Sequence, residues 1–302
     1  PYEEANRQAP RFAWQKQGEG AAEMTHHEQG EGEPEMTDGA VIDCPLADVA
    51  ALIDWRMFLI FWGFKGETLQ QLLVNPEAER TLREGKQYLQ RAIEAGAVEV
   101  KALLRMVGAT RRGNDIVLSD GTLLPMLRSQ SRAGHFLCLS DFFDARRPSP
   151  LVLFAVGPRP KVQPADEAER LMSHALCARL TEACAEWLQS HLPAASLQSH
   201  LSAGSRPSLL RVAFGYATCP DHSLKRIVFD QLQAESLLGI TLTDHYSIQP
   251  STAICGLFVS HPEARYFPVG RIDEAQLADY CRRRGITLAE GEQLLSKYIV
   301  KL

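Results

Sequence analysis

Apolar positions recur at helical spacing in several parts of the chain. The strongest helix is predicted over residues 165–191, where Leu176, Leu180, Cys184 and Leu188 recur every four residues, and Pro193 follows its end. Apolar stripes predict further helices over 48–64, 76–95 and 222–238. Two closing helices follow: Asp273 opens the first, Gly285 ends it, and Thr287 with Glu290 forms a capping box for the second.

Short apolar runs bounded by Gly, Asn and Pro predict strands between these helices. They lie at 101–106, 115–118, 136–139 and 151–156 in the first half and at 240–243, 251–259 and 266–269 in the second. Helices and strands do not alternate regularly enough for a doubly wound parallel sheet. The pattern therefore predicts a single α+β domain with a central, largely antiparallel sheet flanked by helices.

The beginning of the chain has a different composition. Residues 18–38 contain seven acidic residues, repeated Gly and no Lys or Arg. Such a stretch buries too little apolar surface to offset its chain entropy. We therefore expect residues 1–40 to form a flexible acidic N-terminal arm that contributes little to ligand binding, with the folded domain spanning residues 41–302.

Charge and composition exclude several classes of partner. The 302 residues carry 37 acidic and 32 basic side chains, a formal charge of -5, so nucleic acid is not an expected partner. The longest apolar run, 57–64, is too short to cross a membrane. Seven Cys residues scattered through apolar stretches are typical of reduced thiols, and the first residues do not resemble an export signal. We expect a cytoplasmic protein.

Common cofactor and catalytic motifs are missing from the sequence. It contains no GxGxxG after a predicted strand, no GxxxxGK[ST], no GxSxG and no HExxH. Cys219 and His222 have the spacing of half a zinc site, but no second pair completes four ligands, so no bound metal is expected. The run Arg282 to Arg284 is interpreted as a solvated helix end rather than a DNA-reading helix.

Three segments are not explained by local structure. They are 53–62 (IDWRMFLIFW), 209–222 (LLRVAFGYATCPDH) and 242–272. Loops dense in Arg, Gly, Tyr and His are more often binding elements than packing elements. Asp54 in the first segment has two open interpretations, a functional carboxylate or a helix N-cap.

These segments resemble the activation domain of cobalamin-dependent methionine synthase. The family pattern RPAxGYPxCPDH is matched by Arg211, Ala213, Gly215, Tyr216, Cys219, Pro220, Asp221 and His222. The pattern IDWxPFFxxW is matched by Ile53, Asp54, Trp55, Phe58 and Trp62, and a third pattern is matched through residues 242–272, including Tyr266 and Phe267. The family's LADRLAEAFAE is similar to LCARLTEACAE here, which retains Arg179, Glu182 and Glu186. The resemblance is collinear over nearly the whole chain.

The resemblance implies a site for S-adenosylmethionine. Arg211 is then expected to bind the carboxylate of the ligand, and Asp54 and Glu186 are expected to face its ammonium group. Without the resemblance, Glu186 would be interpreted as a solvent-facing helix residue. The remaining expected contacts are the backbone around Ala213, the rings of Tyr216, Tyr266 and Phe267, and the residues Gly215 and His222.

The resemblance also implies partners. The family uses the ligand's methyl group to reactivate a reduced corrinoid, as part of a methyltransferase, and this chain is expected to position the methyl donor without catalytic residues of its own. No DxHxxG corrinoid motif occurs, so cobalamin is expected on a separate cobalamin-binding domain or polypeptide. Flavodoxin or a related reductase is the expected electron donor.

Two alternatives stay open at this point. The chain departs from the family pattern at Ala178, Ser205 and Asp244, so a ligand-free docking scaffold for a corrinoid domain or reductase is a second hypothesis. A third is a reactivation partner of another corrinoid methyltransferase. The sequence fits either an excised domain or a separate subunit.

Overall fold

A seven-stranded sheet runs through the middle of the molecule, and every strand pair in it is antiparallel. The computed structural model describes residues 1–10, 12, 39–192, 197 and 208–300. Within them the strand order is β4-β3-β2-β5-β9-β6, and β1 pairs with β2 beside β3. The strands are β1 (Val41–Asp43), β2 (Val98–Arg112), β3 (Asp115–Leu118), β4 (Leu123–Pro125), β5 (Ser149–Pro160), β6 (Ser208–Ala213) and β9 (Ile254–His261); β7 (Thr241–Leu242) and β8 (Ile248–Gln249) form a separate hairpin.

Helices cover both faces of this sheet. They are α1 (Tyr2–Arg7), α2 (Leu46–Ala51), α3 (Trp55–Phe61), α4 (Leu69–Leu72), α5 (Pro76–Glu94), α6 (Glu167–His191), α7 (Lys225–Leu232), α8 (Ala234–Leu238), α9 (Glu274–Arg284) and α10 (Leu288–Leu295). Short 3-10 turns lie at Arg132–Gly134, Leu139–Phe142 and His222–Leu224. The predicted fold class, an α+β domain with a central antiparallel sheet flanked by helices, is confirmed.

Two apolar cores lie on opposite faces of the sheet, as the alternation of side chains along a strand requires. In β5, Val152, Phe154 and Val156 join the core under α2, α3, α5 and α6. The alternate residues Leu151, Leu153 and Ala155 join the second core, which contains residues of α7, α8, α9 and α10. Residues 45–64 and α6 therefore share one face of the sheet.

Four local predictions were wrong. The segment 222–238 is a 3-10 turn followed by two helices rather than one helix, because Gln233 has a φ of 51° and separates them. The segment 48–64 contains two helices rather than one. The first helix ends at Ala51, and the second begins at Trp55 with Asp54 as its N-cap. The predicted strand 136–139 is excluded because His135 and Phe136 have φ values of 52° and 54°, in the left-handed region, and a 3-10 turn follows. The predicted strand 266–269 has no regular structure.

The first residues of the predicted arm are packed against the domain. Tyr2 is buried, its hydroxyl donates to Asp279 Oδ2 at 2.6 Å, and it accepts from Asn114 Nδ2 at 2.9 Å. Phe12 stacks on Phe142 with 5.5 Å between ring centroids. The expectation of a flexible arm is therefore corrected for residues 1–10, while the acidic stretch 18–38 lies outside the described residues.

Among the described residues, no helix is both long enough and apolar enough to span a membrane.

Candidate functional site

Arg211 and Glu182 meet between strand β6 and helix α6. The Nη2 atom of Arg211 donates to Oε2 of Glu182 at 3.0 Å, and Nη1 reaches the Glu182 carbonyl oxygen at 3.4 Å. Val212 points into the core on the opposite face, so strand alternation turns Arg211 toward α6. Arg211 was expected on a loop, but it is a strand residue paired with Phe258. The strand therefore fixes the backbone position from which the Arg211 side chain extends.

Glu186 was predicted to face the ammonium group of the ligand, and the side chain that pairs with Arg211 in this structure is that of Glu182. Glu182 and Glu186 are four residues apart on α6, so both lie on the same side of the helix. Glu186 is exposed, one turn further along the helix. The acidic residue beside Arg211 is therefore Glu182, which the sequence pattern already contained but did not single out.

Asp54 is the N-cap of α3. Its Oδ1 accepts the backbone N–H groups of Arg56 at 2.9 Å and Met57 at 3.1 Å. Of its two open interpretations, the cap is thus shown directly. The residue is exposed, and both of these bonds go to Oδ1. Helices α2 and α3 pack on α6, so this carboxylate belongs to the same layer as Glu182.

A tight turn follows strand β6 after Ala213, a half-buried residue that points to the same side as Arg211. Gly215 has a φ of +89°, its N–H donates to the Cys219 carbonyl at 2.7 Å, and the Cys219 N–H donates to the Tyr216 carbonyl at 3.0 Å. The His222 imidazole lies against the Gly215 Cα, where a Cβ would be 1.9 Å from its Cε1. The turn therefore needs glycine for its backbone angle and for its contact.

Hydrogen bonds join the segment 209–222 to the segment 242–272. Thr218 Oγ1 donates to the Phe267 carbonyl at 2.6 Å, and the Val269 N–H donates to the Ala217 carbonyl at 2.8 Å. Tyr216 and Tyr266 are both exposed, at 63% and 60%. The structure thus brings the segments of these two tyrosines together and leaves their rings available at the surface.

The ring of Phe267 is not available. It is 1% exposed and lies in the core near Phe142, with 6.4 Å between ring centroids. The prediction that this ring frames a ligand is corrected: its backbone supports the turn through Thr218, and its side chain anchors the segment.

Asp221 stabilises the turn after β6 from the protein interior. It is 1% exposed, accepts the Ser223 N–H at 2.7 Å, and accepts the Tyr280 hydroxyl at 2.5 Å. Burial, followed by the negative charge of Asp221, raises the pKa of Tyr280 well above its usual value, so the phenol stays a donor. The motif residues Pro220 and Asp221 are buried and structural, whereas Tyr216 and His222 lie at the surface.

In the described part of the chain, no group of three or more His, Cys, Asp or Glu side chains is arranged to hold a metal ion. Cys219, half of the candidate pair, is a buried thiol with Sγ 4.0 Å from the Met126 sulfur. Burial raises its pKa. Such a thiol behaves as a small apolar side chain.

Comparison with known proteins identifies the class of this architecture. The chain is similar to the MetH reactivation domain, whose crystal structure was solved bound to AdoHcy, with a TM-score of 0.82 and 22% sequence identity over 100% of this chain and 99% of that one. The fold is therefore that of a methionine synthase reactivation domain. The family described as vitamin B12 dependent methionine synthase, activation domain, matches residues 45–285. The chain belongs to this family and is thus of a kind that forms part of a methyltransferase enzyme.

Proposed function

We propose that this domain binds S-adenosylmethionine between β6 and α6, and presents it to a corrinoid carried by a cobalamin-binding domain for reductive methylation. The observation that carries the proposal is the ion pair of Arg211 and Glu182, whose side chains are 34% and 41% exposed.

The charges of this pair match the amino-acid end of the ligand. A zwitterion offers a carboxylate to the planar fork of Arg211 and an ammonium group to Glu182. A partly exposed ion pair contributes only about 0 to 1 kcal/mol to stability. Opening it to admit the ligand therefore costs little, while each new charge-assisted hydrogen bond contributes about 1.5 to 3 kcal/mol. Asp54, in the same layer, adds a second carboxylate for the ammonium.

The adenosyl end has a frame in the Gly215–Tyr216 turn and the exposed rings of Tyr216 and Tyr266. Strand β6 is the edge strand among the described residues, so backbone groups on its outer side, near Ala213, can bond a ligand. Aromatic rings add stacking surface for a purine. The residues present therefore fit both ends of the molecule.

The chemistry comes from the ligand and the work of this chain is placement. S-adenosylmethionine supplies an electrophilic methyl group on its sulfonium. Arg211 and Glu182 fix the amino-acid end, and the Gly215–Tyr216 turn fixes the other, so the methyl is held in one orientation toward the partner domain. Flavodoxin or a related reductase is the proposed electron donor. The similar domain bound to AdoHcy supports this assignment, because AdoHcy is S-adenosylmethionine without that methyl.

Isothermal titration of the 302-residue chain with S-adenosylmethionine and AdoHcy tests the proposal. Binding of both at one site per chain, with free methionine as a much weaker competitor, is the expected result. The absence of any heat up to millimolar ligand, in protein whose circular dichroism shows it folded, would reject the proposal in favour of the ligand-free docking scaffold.

A further inference from the structure

A buried lysine stands directly behind the Gly215–Tyr216 turn. Lys225 is the first residue of α7 and is 7% exposed. Its Nζ lies 2.7 Å from His222 Nδ1 and donates to the Tyr246 carbonyl oxygen at 2.9 Å. A lysine is seldom buried this far unless its ammonium group has defined partners. Here those partners lie in the 3-10 turn directly before α7 and in the loop that carries Tyr246.

The contact fixes the tautomer of His222. An ammonium group has three donors and no acceptor, so Nδ1 of the imidazole must accept from Nζ. The ring proton of neutral His222 is therefore on Nε2. Because Nδ1 is already occupied, Nε2 is the nitrogen left to donate elsewhere.

The His222 imidazole restricts the conformation of the Gly215–Tyr216 turn. A Cβ at Gly215 would lie 1.9 Å from Cε1, 2.3 Å from Nε2 and 2.4 Å from Nδ1 of His222, so the ring lies flat against the Gly215 Cα. Tyr216, the next residue, is the exposed ring of the proposed site. A displacement of the imidazole would thus be felt directly by this turn.

Partial burial and two nearby cations favour the neutral form of His222. Burial lowers the pKa of His222, Lys225 lowers it further, Asp221 raises it, and Lys297 lowers it. His222 also lines a cavity of about 450 Å³ whose wall includes Asp244, His245, Arg284 and Glu290. Protonation would place a second cation 2.7 Å from Lys225 and break the contact.

We propose that Lys225 is a positioning residue of the ligand site: it holds His222 as the neutral tautomer with its proton on Nε2, and His222 holds the Gly215–Tyr216 turn in the shape that receives S-adenosylmethionine. The inference rests on the proposed function. Lys225 is set apart from a general packing residue by its two partners, since one ammonium group joins the turn to the loop that carries Tyr246. Such support from behind is what keeps a binding side chain in one rotamer.

The test compares Lys225→Met with Lys297→Met. Lys297 is the matched control, because its charge also bears on His222 and it has no hydrogen bond to the imidazole among the described contacts. Two readouts are taken on the full chain: the ¹⁵N chemical shifts of His222 as a function of pH, which report tautomer and pKa, and the Kd for S-adenosylmethionine by titration.

Lys225→Met is expected to raise the pKa of His222, to mix its two neutral tautomers and to weaken binding about 10-fold, the loss of one hydrogen-bonded support. The weakening is expected to grow as the pH falls through the new pKa of His222. Lys297→Met is expected to raise the pKa slightly, keep the tautomer and change Kd less than about twofold. If Lys225→Met melts below the assay temperature, Lys225→Gln, which retains a donor for Tyr246, is expected to give the same shifts.

Two outcomes overturn the inference. One is a His222 in the parent protein with its proton on Nδ1. The other is a Kd unchanged by Lys225→Met or Lys225→Gln. If the parent protein binds no S-adenosylmethionine, the proposed function fails, and the spectrum of His222 in the free protein still shows whether Lys225 sets its tautomer.

Discussion

The guanidinium of Arg211 lies 3.0 Å from the carboxylate of Glu182, across the space between strand β6 and helix α6. Neither side chain is fully buried, so the pair is a weak source of stability and a ready source of complementary charge. Arg211 lies two residues before Ala213 on the strand that leads into the Gly215–Tyr216 turn. The pair and the turn are therefore held by the same strand.

Substitution at Glu182 should affect binding more than substitution at Glu186. Glu182→Gln removes the charge that faces the ammonium of the ligand, and we expect Kd for S-adenosylmethionine to rise roughly 10-fold. Glu186→Gln is the matched control on the same helix face, with an expected change below about twofold. Titration calorimetry measures both. Equal losses, or the larger loss at Glu186, would contradict the assignment of Glu182.

Arg211→Ala should weaken binding by roughly 10 to 150-fold, because it removes a charge-assisted hydrogen bond to the ligand carboxylate. Arg211→Lys should recover only part of the loss, since an ammonium group cannot grip a carboxylate at two points. The melting temperature should change little, because the ion pair lost is partly exposed. Binding of the Ala variant as tight as that of the parent would show that the ligand is oriented differently.

Arg128→Met should lower the free energy of unfolding by about 3 to 5 kcal/mol. The Arg128 side chain is 1% exposed, and it binds both oxygens of the buried Asp141 at 2.7 Å and Asn114 Oδ1 at 2.7 Å. Its removal leaves the buried Asp141 charge with Arg111 as its remaining ion-pair partner among the described residues. Urea unfolding measures the loss, with the exposed Arg146→Met as control. A loss below about 1 kcal/mol would contradict a structural role for this cluster.

Asp279 should make the domain less stable in acid. Burial raises the pKa of Asp279, but hydrogen bonds from Tyr2 and Arg283 and the charge of Arg283 outweigh it, and the pKa is lowered. A carboxyl group with a lowered pKa in the folded state contributes stability above its unfolded pKa of about 3.9, and that contribution is lost as the pH falls through the lower, folded value. Thermal melts from pH 7 to pH 2.5 should therefore show a smaller acid-induced drop in Tm for Asp279→Asn than for the parent. Parallel curves would exclude this contribution.

Local chemistry in the sequence determined the elements whose signals lie within a few residues. Asp273, Gly285 and the Thr287–Glu290 capping box correctly bound the last two helices, because caps satisfy backbone groups next to them. Strand β3 was predicted with its observed bounds, Asp115–Leu118. The family patterns indicated the fold and predicted a site that contains Arg211, Gly215 and Tyr216.

Tertiary structure alone decided where residues equivalent in sequence come to lie. Glu182 and Glu186 have the same helical phase, and only the packing of α6 against β6 selects the turn of the helix that faces Arg211. Phe267 has the pattern of a site aromatic, but its ring is drawn into the core beside Phe142. Lys225 is only three residues from His222, but its second partner, the Tyr246 carbonyl oxygen, lies in a separate loop that only the tertiary structure brings to it. Periodicity is a property of one segment, whereas these contacts depend on how segments pack.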